Sequence, residues 1–319
     1  MIRSLCVAAV VLALGFDATA EPSYPSRPIK VLHGFPAGGP PDIVLRRIAT
    51  ELEQRLGQPV VVENRPGASG TIAAAAVARA VPDGYTLLFG VAANVAVAPA
   101  VMKKPPYDPT TAFTPIVEVA RGPYVWLVRA DAPVTTMPQF VAWAKGASRT
   151  LNYASPGAAS VHHLGTEILK RSTGIELVHV PYTSGIYPAL LGGHVDAMFE
   201  SMPGPLPHIG AGKLRALAVT GRHRLRALPD VPTLVEQGLP DVDVNSWWGV
   251  VGPRGVPEPI VTTLNRAIAG VLAAPAVRTA LEQMSIEPTP GTAEAFGAYV
   301  AQEYERWRRE AHRLDVHLD

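Results

Sequence analysis

Short apolar runs alternate along this chain with longer segments in which apolar residues recur every three or four positions. Residues 29–35 form the first such run and predict a buried strand, and the apolar spacing over 43–56 predicts a helix after it. Residues 60–62, 71–80 and 85–89 continue the order as strand, helix and strand. Strands and helices that alternate with short loops predict a parallel sheet covered by helices on both faces.

A second strand-and-helix series follows, introduced by two predicted strands that flank Arg121-Gly122-Pro123. The two introductory strands are 116–119 and 124–128, the helices are 137–145 and 161–172, and the later strands are 151–154, 177–180, 195–199 and 214–220.

The last part of the chain is free to return to the first series. It contains a predicted strand over 245–251 and helices over 260–273 and 293–314, the last of which is amphipathic. We therefore predict an α/β fold of two lobes with a ligand cleft between them. Lobe 1 is predicted to contain 21–122 and 222–319, and lobe 2 to contain 123–221.

The first twenty residues have the pattern of an export signal. Arg3 precedes an apolar stretch over 5–16, and Ala18-Thr19-Ala20 is a small-residue cleavage pattern. The stretch is shorter than the roughly 20 residues that span a bilayer. We predict a signal peptide over 1–20, with an uncleaved membrane anchor as the alternative. The single cysteine, Cys6, lies inside this segment, so we expect no disulfide in the mature chain.

Charge and motif content exclude several classes of partner. The chain has 28 Lys and Arg against 27 Asp and Glu, a formal net charge of +1, and no basic run. Nucleic-acid binding rests on clustered cations, so we expect no nucleic-acid partner. The histidines lack metal-ligand spacing, and no G-x-G-x-x-G or phosphate-loop motif occurs, so we predict no metal and no cofactor.

The strongest local signal for binding is Phe35-Pro36-Ala37-Gly38-Gly39-Pro40-Pro41-Asp42, between the first predicted strand and helix. Glycines let the backbone approach a ligand, and amides at a helix N-terminus attract an anion. Prolines have no N–H, so the donors left are waters or the amides of Ala37, Gly38, Gly39 and Asp42. A tight turn without a ligand is the alternative for this loop alone.

The segment Ser155-Pro156-Gly157-Ala158-Ala159-Ser160 joins a strand to a helix in the second series in the same way. Ser160 suits the N-cap position, and its hydroxyl and the neighbouring amides are equally suited to a carboxylate. Because each predicted lobe has one such loop, we expect the two loops to close on a single anion.

Other candidates follow or end predicted strands, where ligands bind in α/β folds. Tyr182 and Trp248 are suited to walling a pocket, and Glu200 to accepting a donor at the far end of a ligand; Asn94 follows the third strand. Core packing, or a solvated carboxylate for Glu200, is the alternative for each.

An exported hydrolase is the enzymatic alternative. No G-x-S-x-G motif supports it, and a serine beside a helix start is more often a cap. Its catalytic groups would be Ser155 or Ser160, His162 or His163, and Asp42 or Asp196.

Motifs in order along the chain resemble those of the Bug (TctC-like) family, the periplasmic solute receptors of tripartite tricarboxylate transporters. The resemblance covers essentially the whole mature chain. Its motifs are Tyr24-Pro25-Ser26-Arg27-Pro28-Ile29, residues 35–42, Glu63-Asn64-Arg65-Pro66-Gly67-Ala68, Pro82-Asp83-Gly84-Tyr85, Ser155-Pro156-Gly157 with His163-Leu164, His179-Val180-Pro181-Tyr182, residues 212–220, Leu228-Pro229-Asp230-Val231-Pro232-Thr233 and Trp248-Gly249.

The resemblance implies a type II periplasmic-binding-protein fold, a periplasmic location and no enzymatic activity. It also implies a small carboxylate ligand, held by the two loops through backbone groups and waters, and transporter membrane subunits as partners. A monomer is expected, and a receptor that reports to a signalling partner is the alternative. The predicted ligand-binding residues are Phe35, Ala37, Gly38, Gly39, Asp42, Asn94, Ser155, Gly157, Ala158, Ala159, Ser160, His163, Tyr182, Glu200 and Trp248.

Departures from the family pattern limit what the resemblance implies about the ligand. Ala159 and Ser69 stand where the family commonly has glycine, and Glu200 replaces a common Asp. The stretch 182–191 is about two residues shorter than usual. The length of the ligand and the chemistry of its far end are therefore left open.

Overall fold

The structure is a computed structural model that describes residues 24–158, 160–182, 184–239, 242 and 244–316. The predicted signal peptide, residues 1–20, lies outside the described residues. Among those described, the strands are β1 (Ile29–His33), β2 (Val60–Asn64), β3 (Thr86–Val91), β4 (Phe113–Arg129), β5 (Leu151–Ser155), β6 (Leu177–Pro181), β7 (Ala197–Ser201), β8 (Leu214–Val219), β9 (Asn245–Pro253) and β10 (Glu287–Pro288).

Helices connect most of the strands. They are α1 (Pro40–Leu56), α2 (Thr71–Ala78), α3 (Ala98–Val101), α4 (Met137–Gly146), α5 (Val161–Thr173), α6 (Ile186–Leu191), α7 (Leu206–Gly210), α8 (Glu258–Leu272), α9 (Pro275–Gln283) and α10 (Ala293–Leu314). Short 3₁₀-helical turns cover Ala68–Gly70 and Val235–Gln237, and a π-helical turn covers Ala93–Val97.

The first sheet has the order β2-β1-β3-β9-β4, with β10 beside β4. Strands β1, β2 and β3 are parallel, as predicted, whereas β9 runs antiparallel to both β3 and β4. Side chains alternate across a strand, so neighbours pack on opposite faces. Val31 packs with α1 and α8, and Leu32 packs in the core that contains α2 and α10. Helices therefore cover both faces.

The second sheet has the order β8-β4-β7-β5-β6, in which β5 is parallel to β6 and β7, and β4 is antiparallel to β7 and β8. Trp126 and Phe199 pack on one face against α4 and α5. Leu127 and Met198 pack on the other face with residues of α6 and the loop before it. The two sheets share β4, which places their strand ends on either side of a cleft.

One long strand replaces the two strands predicted around Arg121-Gly122-Pro123, so that prediction is wrong. Gly122 and Pro123 are paired with Ser246 and Asn245 of β9. From Tyr124 onward β4 pairs with β7 and β8 instead. Pro123 thus lies where β4 exchanges partners, at the end of a ladder, where a missing N–H is tolerated.

Several helices were not predicted. Residues 93–101 are buried almost throughout, so they lack the apolar-polar period that identifies a surface helix. Helices α6, α7 and α9 are short and each contains proline in its first turns. No single helix among the described residues is long and apolar enough to cross a membrane. Helices α8 and α9 meet that criterion only when taken together, across a bend of 68°.

Candidate functional site

A cleft of about 390 Å³ lies at the ends of strands from both sheets. The first loop (residues 35–42) and the turn after β3 line one side, and the N-terminus of α5, the β6–α6 connection and the end of β7 line the other. Of the predicted binding residues, those that line the cleft are Phe35, Ala37, Gly38, Gly39, Ser160, Tyr182, Glu200 and Trp248.

The first loop is shaped by its two glycines. Gly38 has a φ of +79°, which favours glycine, and a Cβ built there would meet nothing within 4 Å. Its N–H donates to Asp42 Oδ2 at 2.9 Å, so this amide is not free for an anion. The prediction that Gly38 offers its amide to a ligand is corrected on this point. The Ala37 amide has no partner among the described residues.

Asp42 lies behind the first loop rather than in the cleft, with 3% of its surface exposed. Its carboxylate accepts from Arg46 Nε at 2.9 Å and Asn64 Nδ2 at 3.0 Å, and lies 3.1 Å from His33 Nε2. Burial by itself raises the pKa of the Asp42 carboxyl, but hydrogen bonds from Arg46, Gly38, Asn64 and His33 hold that pKa well below its usual range. Asp42 therefore supports the loop as a charged anchor.

Asn94 is also turned away from the cleft and is fully buried. Its Oδ1 accepts from the Val91 N–H at 2.8 Å, its Nδ2 donates to the Gly70 carbonyl at 3.4 Å, and its carbonyl accepts from the Tyr107 hydroxyl. These bonds fix the turn after β3. The cleft is lined there by Val91, Ala92 and Ala93 instead.

The second loop (residues 155–160) is held by serine hydroxyls. Ser160 caps α5 as predicted, because its Oγ accepts from the His163 N–H at 3.2 Å, and it donates to the Gly157 carbonyl at 2.7 Å. Ser155 Oγ also contacts Gly157 and lies 2.6 Å from His179 Nε2. Of the predicted residues here, Ser155, Gly157 and Ala158 do not line the cleft, although Pro156 does, and Ala159 lies outside the described residues.

The turn between β2 and α2 makes a direct contact with the second loop. Ser69, in the turn between β2 and α2, donates from its Oγ to the Ala158 carbonyl at 2.9 Å. Ser69 has a φ of +54°, in the left-handed region that a non-glycine residue rarely occupies. This position brings its hydroxyl within reach of the second loop.

His163, a predicted binding residue, points away from the cleft and stacks on His179 with ring centroids 4.3 Å apart. Burial lowers the pKa of both rings, and for His179 the charge of nearby His163 lowers it further, to about 4. His162 faces the cleft instead, and its Nε2 lies 2.9 Å from Glu200 Oε1. Adjacent helical residues point about 100° apart, and the sequence did not determine which histidine faces inward.

Glu200 lies in the cleft wall with only 5% of its surface exposed. Its Oε1 is paired with His162 and accepts from the Ser201 N–H at 2.8 Å and the Ser201 hydroxyl at 3.2 Å. Its Oε2 has no hydrogen-bond partner among the described residues. One oxygen of a nearly buried carboxylate is thus left available at the cleft.

Aromatic side chains supply much of the remaining wall. Trp248, a predicted residue, is fully buried, and Phe35 and Tyr182 lie nearer the entrance. Sequence reasoning missed Tyr124 and Tyr187, which also line the cleft. Tyr187 lies within the unusually short stretch 182–191, which was the only available signal for it.

The groups of the alternative hydrolase are not assembled among the described residues. Ser155 contacts His179 rather than His162 or His163, and Ser160 is occupied as a helix cap. Asp196 is paired with Arg149, and Asp42 with Arg46. Within the same residues, no group of three or more His, Cys, Asp or Glu side chains is arranged to hold a metal ion.

Comparison with known proteins identifies the family. The profile described as "Tripartite tricarboxylate transporter family receptor" (TctC) matches residues 44–315. The chain belongs to this family. The prediction drawn from its motifs is therefore confirmed.

Solved structures of similar proteins agree with this assignment. The periplasmic binding protein BugD is 34% identical, covers 92% of this chain and 99% of its own, and has a TM-score of 0.87. MatC of Rhodopseudomonas palustris, with bound malate, is 34% identical with a TM-score of 0.85 over 90% of this chain and 99% of its own. Rpa4515 of R. palustris, with adipate, is 34% identical with a TM-score of 0.88 over 92% and 99%.

These likenesses confirm the predicted α/β fold of two lobes. The chain is a solute-binding protein of the TctC/Bug family, whose members are periplasmic binding proteins. The residues that bind its solute remain predictions.

Proposed function

We propose that this protein is a periplasmic receptor that binds a small carboxylate in the cleft and delivers it to the membrane subunits of a tripartite tricarboxylate transporter. The observation that carries the proposal is the convergence of two strand-to-helix loops, one from each sheet, on a single cleft of about 390 Å³. A cleft of this size is within the usual range for small-ligand sites.

Backbone donors suit a carboxylate at the loop end of this cleft. The first amides of α5, at Val161 and His162, have no acceptor within the helix, and the positive end of a 13-residue helix lies there. Ala37, in the first loop, lines the same cleft, and its amide has no partner among the described residues. Helix α1 contributes less, because Pro40 and Pro41 replace two of its first N–H groups.

Closure of two lobes around the ligand is part of the proposal. We assign 21–122 and 222–319 to lobe 1 and 123–221 to lobe 2. The exchange of partners along β4 between Pro123 and Tyr124 supports that boundary. Membrane subunits can distinguish a loaded receptor from an empty one only if ligand changes the receptor's conformation.

The proposed receptor releases its ligand chemically unchanged. The cleft-lining Ser160 has its hydroxyl engaged with the Gly157 carbonyl, and Ser155 is fully buried. Neither hydroxyl is placed as a free nucleophile in the cleft.

Thermal unfolding tests the binding step. The purified protein is unfolded and refolded to remove carried-over ligand, and is then heated with small carboxylates and with their amides. A carboxylate at 100 times its Kd should stabilise the folded state by about 2.7 kcal/mol, and the matched amide should not. Equal shifts with acids and amides would contradict the proposal.

A pair of leucine variants locates the binding. Gly39→Leu places a side chain in the cleft, whereas Gly146→Leu places one in open space at the end of α4. Only Gly39→Leu should remove the stabilisation by ligand. Transport is tested separately: cells without this protein should lose uptake of the ligand and regain it with the wild type but not with Gly39→Leu.

A further inference from the structure

The cleft contains a negative group but, in its described lining, no lysine or arginine. Glu200 is the acidic residue of that lining, and its side chain is 6% exposed. A second carboxylate at the far end of a ligand would therefore meet a buried carboxylate without a cation to offset it. Like charges brought together in a poorly solvated site repel strongly.

His162 does not reverse this balance. If the ring is neutral, its Nε2–H donates to Glu200 Oε1 and the pair has a charge of −1. If the ring is protonated, the pair is neutral. In neither state does the pair carry the positive charge that a second carboxylate would need.

The free oxygen of Glu200 instead suits a hydrogen-bond donor. Three contacts fix Oε1, namely those from His162 and from the N–H and hydroxyl of Ser201, so the orientation of the carboxylate is set before ligand arrives. Oε2 retains its acceptor capacity. A ligand hydroxyl or amino group in the cleft can donate to this oxygen, and hydrogen bonds to charged groups are stronger than those between neutral groups.

The walls between the two ends favour a flat apolar body. Phe35, Tyr182 and Trp248 contribute aromatic surface, and Tyr124 and Tyr187 complete it near Glu200. Tyr124 also packs edge-on against His162, with ring centroids 5.0 Å apart, which helps to hold the Glu200–His162 pair in place. Aromatic rings pack favourably against such walls.

We propose that the ligand is an aromatic monocarboxylate with a hydroxyl or amino group remote from its carboxylate, and that this group donates to Glu200 Oε2. The inference rests on the proposed function, which places the carboxylate at the two loops. It distinguishes this chain from MatC and Rpa4515, whose structures hold the dicarboxylates malate and adipate.

Titration calorimetry on the refolded protein tests the inference with matched sets of probes. The donor-bearing acids are 4-hydroxybenzoate, 4-aminobenzoate and 3-(4-hydroxyphenyl)propanoate, and the analogues without a donor are benzoate and 3-phenylpropanoate. The diacids are terephthalate, adipate and malate. The probe without a carboxylate is 4-hydroxybenzamide, in which a neutral amide takes its place. At least one donor-bearing acid should bind about 10- to 100-fold more tightly than its analogue, the range expected for a hydrogen bond to a charged acceptor.

The Glu200→Gln variant tests whether Glu200 is the residue that favours ligands with a hydrogen-bond donor. The readout is the ratio of dissociation constants between 4-hydroxybenzoate and benzoate, which does not depend on the fraction of folded protein. This ratio should fall about tenfold in Glu200→Gln and stay unchanged in Glu305→Gln, an exposed control. The affinity for terephthalate should rise in Glu200→Gln because the buried negative charge is gone.

The remaining outcomes separate the two proposals. Tighter binding of diacids than of donor-bearing acids, or equal binding with and without the donor, overturns this inference and leaves the carboxylate receptor intact. If no acid in any set binds, or if 4-hydroxybenzamide binds as well as 4-hydroxybenzoate, the proposed function itself fails.

Discussion

The two loops that line the cleft are similar in sequence position but are held in place by different chemistry. In the first loop, a buried carboxylate, Asp42, accepts hydrogen bonds from Arg46, Asn64 and the loop's own Gly38 amide. In the second loop, the neutral hydroxyls of Ser155 and Ser160 make the equivalent bonds to Gly157. The first loop is therefore supported by charge and the second by neutral groups.

Because of this difference, we expect the two loops to contribute unequally to the binding of an anion. The first loop uses the Gly38 amide for its own support, and prolines begin its helix, so it contributes mainly shape and the Ala37 amide. The second loop leaves the first amides of α5 free. We therefore expect the second loop to provide more of the favourable electrostatic interaction with a carboxylate.

Asp42→Ala should have the largest effect on stability. Arg46, Asn64 and His33 would lose their shared acceptor, and a buried network that loses its charged member typically costs about 3 kcal/mol. Urea unfolding measures the loss, with the exposed Asp131→Ala as a control. A loss below about 1 kcal/mol would mean that the first loop does not depend on this carboxylate.

Histidines with lowered pKa values should make the surroundings of both loops less stable in mild acid: His163 and His179 near the second loop, and His33 beside Asp42 near the first. The folded-state pKa of His179, about 4, lies below its unfolded value of 6.5, so stability falls as pH drops from 6.5 towards 4. The Asp42 carboxyl also has a lowered pKa, so its contribution is lost only below about pH 4, the usual aspartate value.

Urea unfolding at pH 7.5, 5.5 and 4.5 tests the histidine window. His179→Gln should reduce the decline above pH 4.5, and the exposed Asp131→Asn should leave that decline unchanged. An undiminished decline in His179→Gln would assign the acid sensitivity to other groups.

Ser160 variants separate capping from binding. Ser160→Ala should cost about 1 kcal/mol of stability through loss of the cap. Ser160→Asp retains a cap but adds a negative charge to the cleft, so it should remain stable while losing affinity for carboxylates. If Ser160→Asp binds as tightly as the wild type, the carboxylate does not lie at the second loop.

Ser69 variants should have the smallest effect. Ser69→Ala removes the part-buried hydrogen bond to Ala158, and a loss of about 0.5 kcal/mol, at the low end for a neutral hydrogen bond, corresponds to roughly a twofold weaker affinity. Ser69→Gly removes the same bond but also relaxes the backbone at φ +54°. Calorimetry should therefore find both variants weakened, with Ser69→Gly the more stable to urea.

Local patterns predicted those elements whose boundaries depend on local chemistry. The apolar stripe of α10, with Phe296, Val300 and Trp307 buried, gave its bounds correctly. The Ser160 cap was likewise visible in the sequence. The continuity of β4 was not visible in the sequence. Whether Gly122 and Pro123 interrupt a strand depends on their pairing with β9, more than a hundred residues away.

The sequence predicted which loops form the candidate site, but it did not predict which of their side chains point into the cleft. Glycines at strand ends identified both loops, and strand ends identified Glu200 and Trp248. Asp42 and Asn94 turn inward because partners distant in sequence, Asn64 and Gly70, meet them there. No local pattern contains that information.

The position of β9 also determines the order in which the molecule can fold. The second sheet is complete within residues 124–219, whereas the first sheet needs β9 between β3 and β4, with Leu88 paired to Val251. The first sheet must therefore wait, with the inner edge of β3 unpaired, until the chain as far as residue 253 is available. Closing so long a loop is slow and leaves an exposed strand edge. The lobe that begins the chain is thus the last to be finished.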